Sequence, residues 1–338
     1  MYTTKRLWLE CDRDAYTTWA KLLEVSDLSP DEQIDYTVGI YDGDRLIATG
    51  SLFLNIIKCV AVAKDYQNKN LLTEIIKALF GKLEEDGIFH SFLYTKAQST
   101  PFFKYLGFSE IARTNHLVLM EQGLPDFADY LANLKKAKRS SNHAAGIVMK
   151  ADPFTKGHLH LVETAAKESD VIYLFVISEE NTEFPAADRI KLVKEGTAHL
   201  PNVVVLPTNS YIVSQATFPS YFLKNRVKEY IARVQAELDA TVFKENIAPL
   251  LSIQTRYVGE EPFSRVTEIY NMGMQEIFAN SIKLQIIPRI AASGSIISAS
   301  RVRHAFKKND FDTIKEMVPE TTFTYLLNKA QHKLLLPV

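Results

Sequence analysis

The chain has 338 residues, 46% of them hydrophobic and 23% charged, an ordinary globular make-up that excludes a disordered, collagen-like or disulfide-dense chain. At one domain per ~150 residues the length gives roughly two. Lys and Arg total 39 against 40 Asp and Glu, and a cut near residue 142 leaves 17 basic and 19 acidic residues before it and 22 and 21 after it, so neither half has the basic surplus behind nonspecific nucleic-acid binding. In chain order, Tyr36–Tyr41 reads as a strand, Asp42-Gly43-Asp44 as a hairpin turn and Arg45–Leu54 as the returning strand. Ile57–Ala63 continues the sheet. Leu72, Ile75, Ile76, Leu79 and Leu83 have helical spacing and predict a helix over Leu71–Glu85 that ends at Gly87. His90–Tyr94 is a further strand, Pro101–Tyr105 a short helix before Gly107, and Phe108–Arg113 with His116–Glu121 a closing hairpin.

Two segments make this order resemble a GNAT-type acyltransferase domain. Cys59-Val-Ala-Val-Ala-Lys-Asp-Tyr-Gln-Asn-Lys-Asn-Leu-Leu72 resembles the family's strand, pyrophosphate loop and helix start. Phe102-Phe-Lys-Tyr-Leu-Gly-Phe108 resembles its aromatic helix. Backbone N–H groups that hold a pyrophosphate need close approach, which favours small residues. Asn70 and Leu72 stand there instead, so the expectation is a degenerate domain that has lost acetyl-CoA.

Asp126–Lys138 reads as a helical connector whose Lys135-Lys-Ala-Lys-Arg139 end suits the negative helix pole. Beyond it, Ala144–Met149, Val171–Ser178, Val203–Leu206, Gln254–Val258 and Leu284–Ile287 read as strands. They alternate with helices over Leu159–Glu168, Ala186–Leu200, a long Tyr221–Leu250 stretch and Ser264–Ala279. Apolar strands separated by helices predict a parallel sheet covered on both faces. Ligands of such sheets sit at the strands' carboxyl ends. The expected domains are 1–130, a linker over 131–142, and 143–338.

The first of these strands ends in Met149-Lys-Ala-Asp-Pro-Phe-Thr-Lys-Gly-His158 and runs straight into a helix. A helix start offers free N–H groups and a positive pole to a phosphate. Gly157 leaves room for a nucleotide against the backbone. His158 and Thr155 can donate to phosphate oxygens, and Lys156 adds charge; fixed donors aimed at developing charge are usually the largest catalytic contribution. Near the other end, Ser295-Ile-Ile-Ser-Ala-Ser-Arg-Val-Arg303 places Ser298 as N-cap of a helix over Ala299–Lys307. Ser300 and Arg303 then lie one turn apart, a clamp for a triphosphate. These segments resemble the two signatures of the nucleotidyltransferase superfamily, (His/Thr)-x-Gly-His and Ile-Ser-x-(Ser/Thr)-x-x-Arg. Met149, Lys150 and Ala151 join the expected nucleotide set. So do Gly259 and Glu260 of Val258-Gly-Glu-Glu-Pro262, where the carboxylates either bond ribose or start the next helix. Arg189 either reaches the phosphates or pairs on a helix surface. His160, two residues after His158, reads as structural.

The whole layout, with Tyr211-Ile-Val-Ser-Gln-Ala-Thr-Phe-Pro-Ser-Tyr-Phe-Leu-Lys224 and Arg256-Tyr-Val-Gly-Glu-Glu-Pro262, resembles the citrate lyase ligase family. The resemblance implies that ATP activates acetate and that the acetyl group passes to the prosthetic-group thiol of the citrate lyase acyl carrier subunit, releasing AMP and pyrophosphate. Ser214 and Thr217 are the candidates for the acetate pocket. Mg²⁺ is expected on the triphosphate, since no residues have metal-ligand spacing. Two other readings stay open: an adenylyltransferase acting on a phosphorylated small molecule of the pantetheine or nicotinamide nucleotide type, and an acyl-CoA-binding scaffold. The charged start breaks any signal-peptide core, and no apolar run reaches the ~18 residues of a membrane span. With Cys11 and Cys59 as reduced thiols, a cytoplasmic location without membrane partners is expected. The expected fold is α/β, a GNAT-like α+β domain followed by a Rossmann-like parallel-sheet nucleotidyltransferase domain.

Overall fold

A computed structural model describes residues 1–335 apart from 68, 181, 213–227, 261–264 and 293. The chain divides into two units: Met1–Asp129 with the described part of Gln215–Leu238, and Tyr130–Ser214 with Asp239–Val338.

The first unit opens with β1 (Thr3–Arg6), helix α1 (Arg13–Val25), then β2 (Tyr36–Asp42), β3 (Arg45–Phe53) and β4 (Ile56–Val62). Helix α2 (Leu71–Glu85), β5 (His90–Thr95), α3 (Thr100–Tyr105), β6 (Ser109–Arg113) and β7 (Val118–Gly123) complete it. The sheet order is β1-β2-β3-β4-β5-β7-β6. All neighbours are antiparallel except β4 and β5, which pair in parallel only at Ile56–Phe92 and Ile57–Leu93. Beyond that point a cleft of about 530 Å³ lies against Val60–Val62 and Leu93–Thr95. Asn70 and Leu72 both line it, and Asn70 is left-handed, with φ 57°. Helix α2 buries Ile75, Ile76, Leu79 and Leu83 as its spacing predicts, with Leu71 buried in place of Leu72. The first 35 residues, in which the sequence reading places no element, hold β1 and α1. Strand β1 is exposed throughout and so has no alternation to read, while α1 buries only Trp19, Leu22 and Leu23.

In the second unit, helix α4 (Phe127–Lys136) runs through the start of the expected linker and buries Tyr130 and Leu134. Five parallel strands follow: β8 (Ala144–Met149), then, after α5 (Lys156–Glu168), β9 (Val171–Val176) and, after α6 (Ala186–Gly196), β10 (Val203–Pro207). Helix α7 (Lys228–Val242), which belongs to the first unit as far as Leu238, a π-helical stretch Phe243–Ile247 and α8 (Ala248–Leu251) lead to β11 (Ile253–Gly259), and α9 (Arg265–Phe278) to β12 (Lys283–Ile287). The order β10-β9-β8-β11-β12 is wound outward from β8 in both directions. The chain therefore reverses between β8 and β11, and an open α/β sheet holds its ligand in the crevice at such a reversal. A two-residue ribbon, β13 (Ala291–Ala292) with β14 (Ser295–Ile296), precedes α10 (Ala299–Lys307), α11 (Phe311–Met317) and α12 (Glu320–Leu335). The last two helices were not expected from sequence.

Candidate active site

A cleft of about 500 Å³ opens at the β8–β11 reversal. Its floor comes from Val148 to Lys150 and from Val258 and Gly259; the start of α5 forms one wall and the start of α10 another. The two sequence signatures thus meet, although more than a hundred residues separate them. A Cβ on Gly157 would lie 3.6 Å from the carbonyl oxygen of Ile297, so the two helix starts are in near contact there.

Thr155 is the N-cap of α5 and forms a capping box with His158. Its Oγ1 accepts the His158 N–H at 3.2 Å, and its own N–H donates to His158 Nδ1 at 3.1 Å. A ring nitrogen that accepts carries no proton, so the imidazole proton belongs on Nε2. The Phe154 ring, fully buried, stacks beside the imidazole at 5.9 Å and 13°. Burial, and secondarily the charge of Arg289, push the His158 pKa down to about 4. At neutral pH the ring is therefore neutral, with one N–H to offer. The Thr155 hydroxyl, expected to touch phosphate, is 2% exposed and is occupied in orienting His158.

Ser298 caps α10 by accepting from the Arg301 N–H. Arg303 donates to the Asp152 carbonyl at 2.5 Å and to Ser300 Oγ at 3.1 Å, and its guanidinium lies 3.5 Å from the Asp152 carboxylate. It fastens α10 to the loop after β8, behind Ser298 and Ser300, which themselves line the cleft.

Besides Arg303, which is not among the lining residues, Lys156, Arg189 and Ala151 are placed elsewhere. Lys156 sends its ammonium to the Lys315 carbonyl at 3.0 Å, away from the cleft, because the first helical position points outward. Arg189 does not line the cleft and is not on a surface. It is fully buried and donates to the carbonyls of Phe184, Lys150, Ile177 and Glu179. Ala151, with φ 50°, is likewise fully buried in the turn. Met149, Lys150 and Gly259 do line the cleft, and Glu260 reaches it indirectly, its carbonyl accepting from Arg289 Nε at 2.7 Å. His160, read as structural, lines the same cleft. Ser214 and Thr217 lie outside the described residues.

Sequence reasoning missed two cations, Arg256 and Arg289, both lining the cleft. Arg289 follows Pro288 just beyond β12, at the carboxyl edge where parallel strands present ligand groups; that position was its one signal. The described cleft-lining residues include the cations Lys150, Arg256 and Arg289 and no Asp or Glu, and Lys150 pairs with Glu179 at 3.3 Å. Cys59, buried with its thiol pushed up by burial, is unsuited to nucleophilic work.

A parallel α/β unit with two capped helix starts facing one another across the strand reversal is a nucleotidyltransferase-like domain. The family model of the citrate lyase ligase C-terminal domain matches residues 144–326. The [citrate [pro-3S]-lyase] ligase of Escherichia coli K12 is 37% identical over 320 residues, spanning 93% of this chain and 90% of the relative. That of Klebsiella pneumoniae is 31% identical, spanning 97% of each. The chain belongs to the citrate lyase ligase family. Among solved structures, the ribosomal-protein-S18-alanine N-acetyltransferase of Escherichia coli aligns with 37% of this chain and 94% of its own at 16% identity and a TM-score of 0.29.

Proposed function

We propose that the chain uses ATP to activate acetate as acetyl-adenylate and then acetylates the prosthetic-group thiol of the citrate lyase acyl carrier subunit. The observation that carries this reading is the meeting of both signatures in one cleft at the sheet reversal, in a chain of this family. In the first step an acetate oxygen bonds the α-phosphorus as pyrophosphate leaves with its electron pair. His158 donates from Nε2 to phosphate oxygens as charge builds there. The N–H groups at the starts of α5 and α10, with Ser298 and Ser300, hold the phosphates, and Arg289 and Lys150 supply charge. Gly157 and Gly259 let the nucleoside lie against backbone. Thr155 and Arg303 act as positioning residues, one on His158 and the other on α10. In the second step the carrier thiolate attacks the acetyl carbonyl and AMP departs.

Mg²⁺ enters with the nucleotide as MgATP. We assign it to the triphosphate, since Mg²⁺ is commonly carried by substrate phosphates with few protein ligands. We take 1–130 and 143–338 as the functional domains. No helix of the described residues is long and apolar enough to cross a membrane, and we place the activity in the cytoplasm with the acyl carrier subunit as protein partner. The test is exchange of labelled pyrophosphate into ATP. Exchange that depends on acetate supports the reading; exchange that ignores acetate and requires a phosphorylated acceptor overturns it.

A further inference from the structure

The cleft contains one charged group that the mechanism above leaves unused. Tyr257 turns toward α5, its hydroxyl donating to Glu168 at 2.7 Å. By the alternation of a strand, its neighbours Arg256 and Val258 turn to the other face of the sheet. There the Arg256 guanidinium lies 4.4 Å over the Phe243 ring, and Arg256 shares the cleft lining with Val148, Val258, Tyr270 and Met274. Its side chain is 4% exposed. Among the described residues it makes no side-chain hydrogen bond or ion pair, and its Nε is enclosed without a partner. Buried Arg189 shows how this chain satisfies a guanidinium that only holds structure, with four carbonyls in place. A buried guanidinium without hydrogen-bond partners is costly and is expected to persist where a ligand completes it.

Two local irregularities keep the ring beneath this cation. Phe243 begins the π-helical stretch, a feature frequent at functional sites. Opposite Arg256 in the sheet stands Gly146, where a Cβ would lie 2.8 Å from Phe243 Cζ. Asp239 favours the charged state of Arg256, against the downward push of burial, while its carboxylate accepts the Tyr270 hydroxyl at 2.8 Å. The surroundings are otherwise apolar. They suit a small anion with an apolar body rather than a triphosphate, which has Lys150, Arg289 and two helix starts for itself.

We infer that Arg256 anchors the carboxylate of the small acid substrate, with its methyl group against Val148, Val258 and Met274. The inference rests on the acetate-activation reading. A planar fork matches a carboxylate in two places. It fixes the plane of the acid and leaves a lone pair on one oxygen to attack the α-phosphorus.

The test is acetate-dependent pyrophosphate exchange by the full chain with Arg256→Lys and Arg256→Met, each checked by thermal unfolding. The expected result is a KM for acetate raised about 10-fold or more in Lys and ~100-fold in Met, the range for loss of a charged bidentate contact. The KM for ATP should stay within about 3-fold, as for a group that touches only the acid. Thermal unfolding of Arg256→Met reports separately what the cation contributes to the fold through the Phe243 ring and Asp239. Unchanged acetate KM in either folded variant overturns the inference, as does a rise in the KM for ATP instead, which would make Arg256 a phosphate ligand. Should Arg256→Met fail to fold, its role is structural support and Arg256→Lys decides the acetate question. Wild-type exchange indifferent to acetate defeats the parent reading, and the assignment with it, before any variant is made.

Discussion

His158 is a side chain whose surroundings determine which of its two nitrogens can work. Thr155 takes Nδ1 into the cap, so Nε2 is left as a fixed donor toward the cleft. His158→Ala is expected to keep the fold and to lose adenylate formation by ~100-fold or more, as happens when a transition-state donor is removed; an unchanged rate of exchange would take His158 out of the chemistry. Its lowered pKa also has a stability consequence. The unfolded imidazole titrates near ~6.5 and the folded one near about 4, so between those values the unfolded chain binds more protons. Stability contributed by the neutral ring is fully present above about pH 6.5 and is lost as the pH falls toward about 4. The loss of melting temperature between about pH 7 and about pH 5 should therefore be smaller in His158→Gln than in the wild type. Equal losses would mean that the ring is not held neutral.

At the scale of elements, the helix start that carries His158 depends on the helix beside it. Gly196, the last residue of α6, touches the Phe154 ring: a Cβ there would lie 2.6 Å from Cε1. Phe154 is fully buried and cannot move aside cheaply, and it stacks on His158. Gly196→Ala should cost about 1–3 kcal/mol by overpacking and lower the exchange rate while the acetate KM holds. A denaturant midpoint equal to wild type would show that the ring can shift. The same helix carries Arg189, which gathers the carbonyls of Lys150 and Ile177 beyond β8 and β9. The strand ends that floor the cleft are thus set by a residue outside it.

Across the whole molecule, what the sequence disclosed was local. The capped helix Ala299–Lys307 and the amphipathic Leu71–Glu85 were read to the residue, because caps and periodicity are written in neighbouring positions. The parallel sheet followed from alternation of strands and helices. The jobs of long cations did not follow, since a Lys or Arg chain reaches several ångströms in a direction set by packing. Lys156 sat in a signature motif and Arg189 at a helix start, and both turned away; Arg256 and Arg289, given no role from the sequence, turned in. In the first unit, Leu72 lines the cleft beside the start of α2, where a cofactor's pyrophosphate would need close backbone approach. Acetyl-CoA at ~1 mM should accordingly leave the melting temperature unchanged, since only a ligand that binds the native state raises it; a clear upward shift would show that the cleft still binds the cofactor.

The link from Arg303 to the Asp152 carbonyl joins positions 151 apart in the chain. The cleft is consequently closed by a contact between distant parts of the chain. A nascent chain that has emerged only as far as β12 already holds Thr155, Gly157, His158 and Arg256, yet has no second helix start and nothing to draw one in. A fragment that stops at β12, however well its sheet folds, would therefore present one helix start to the cleft without the one that faces it.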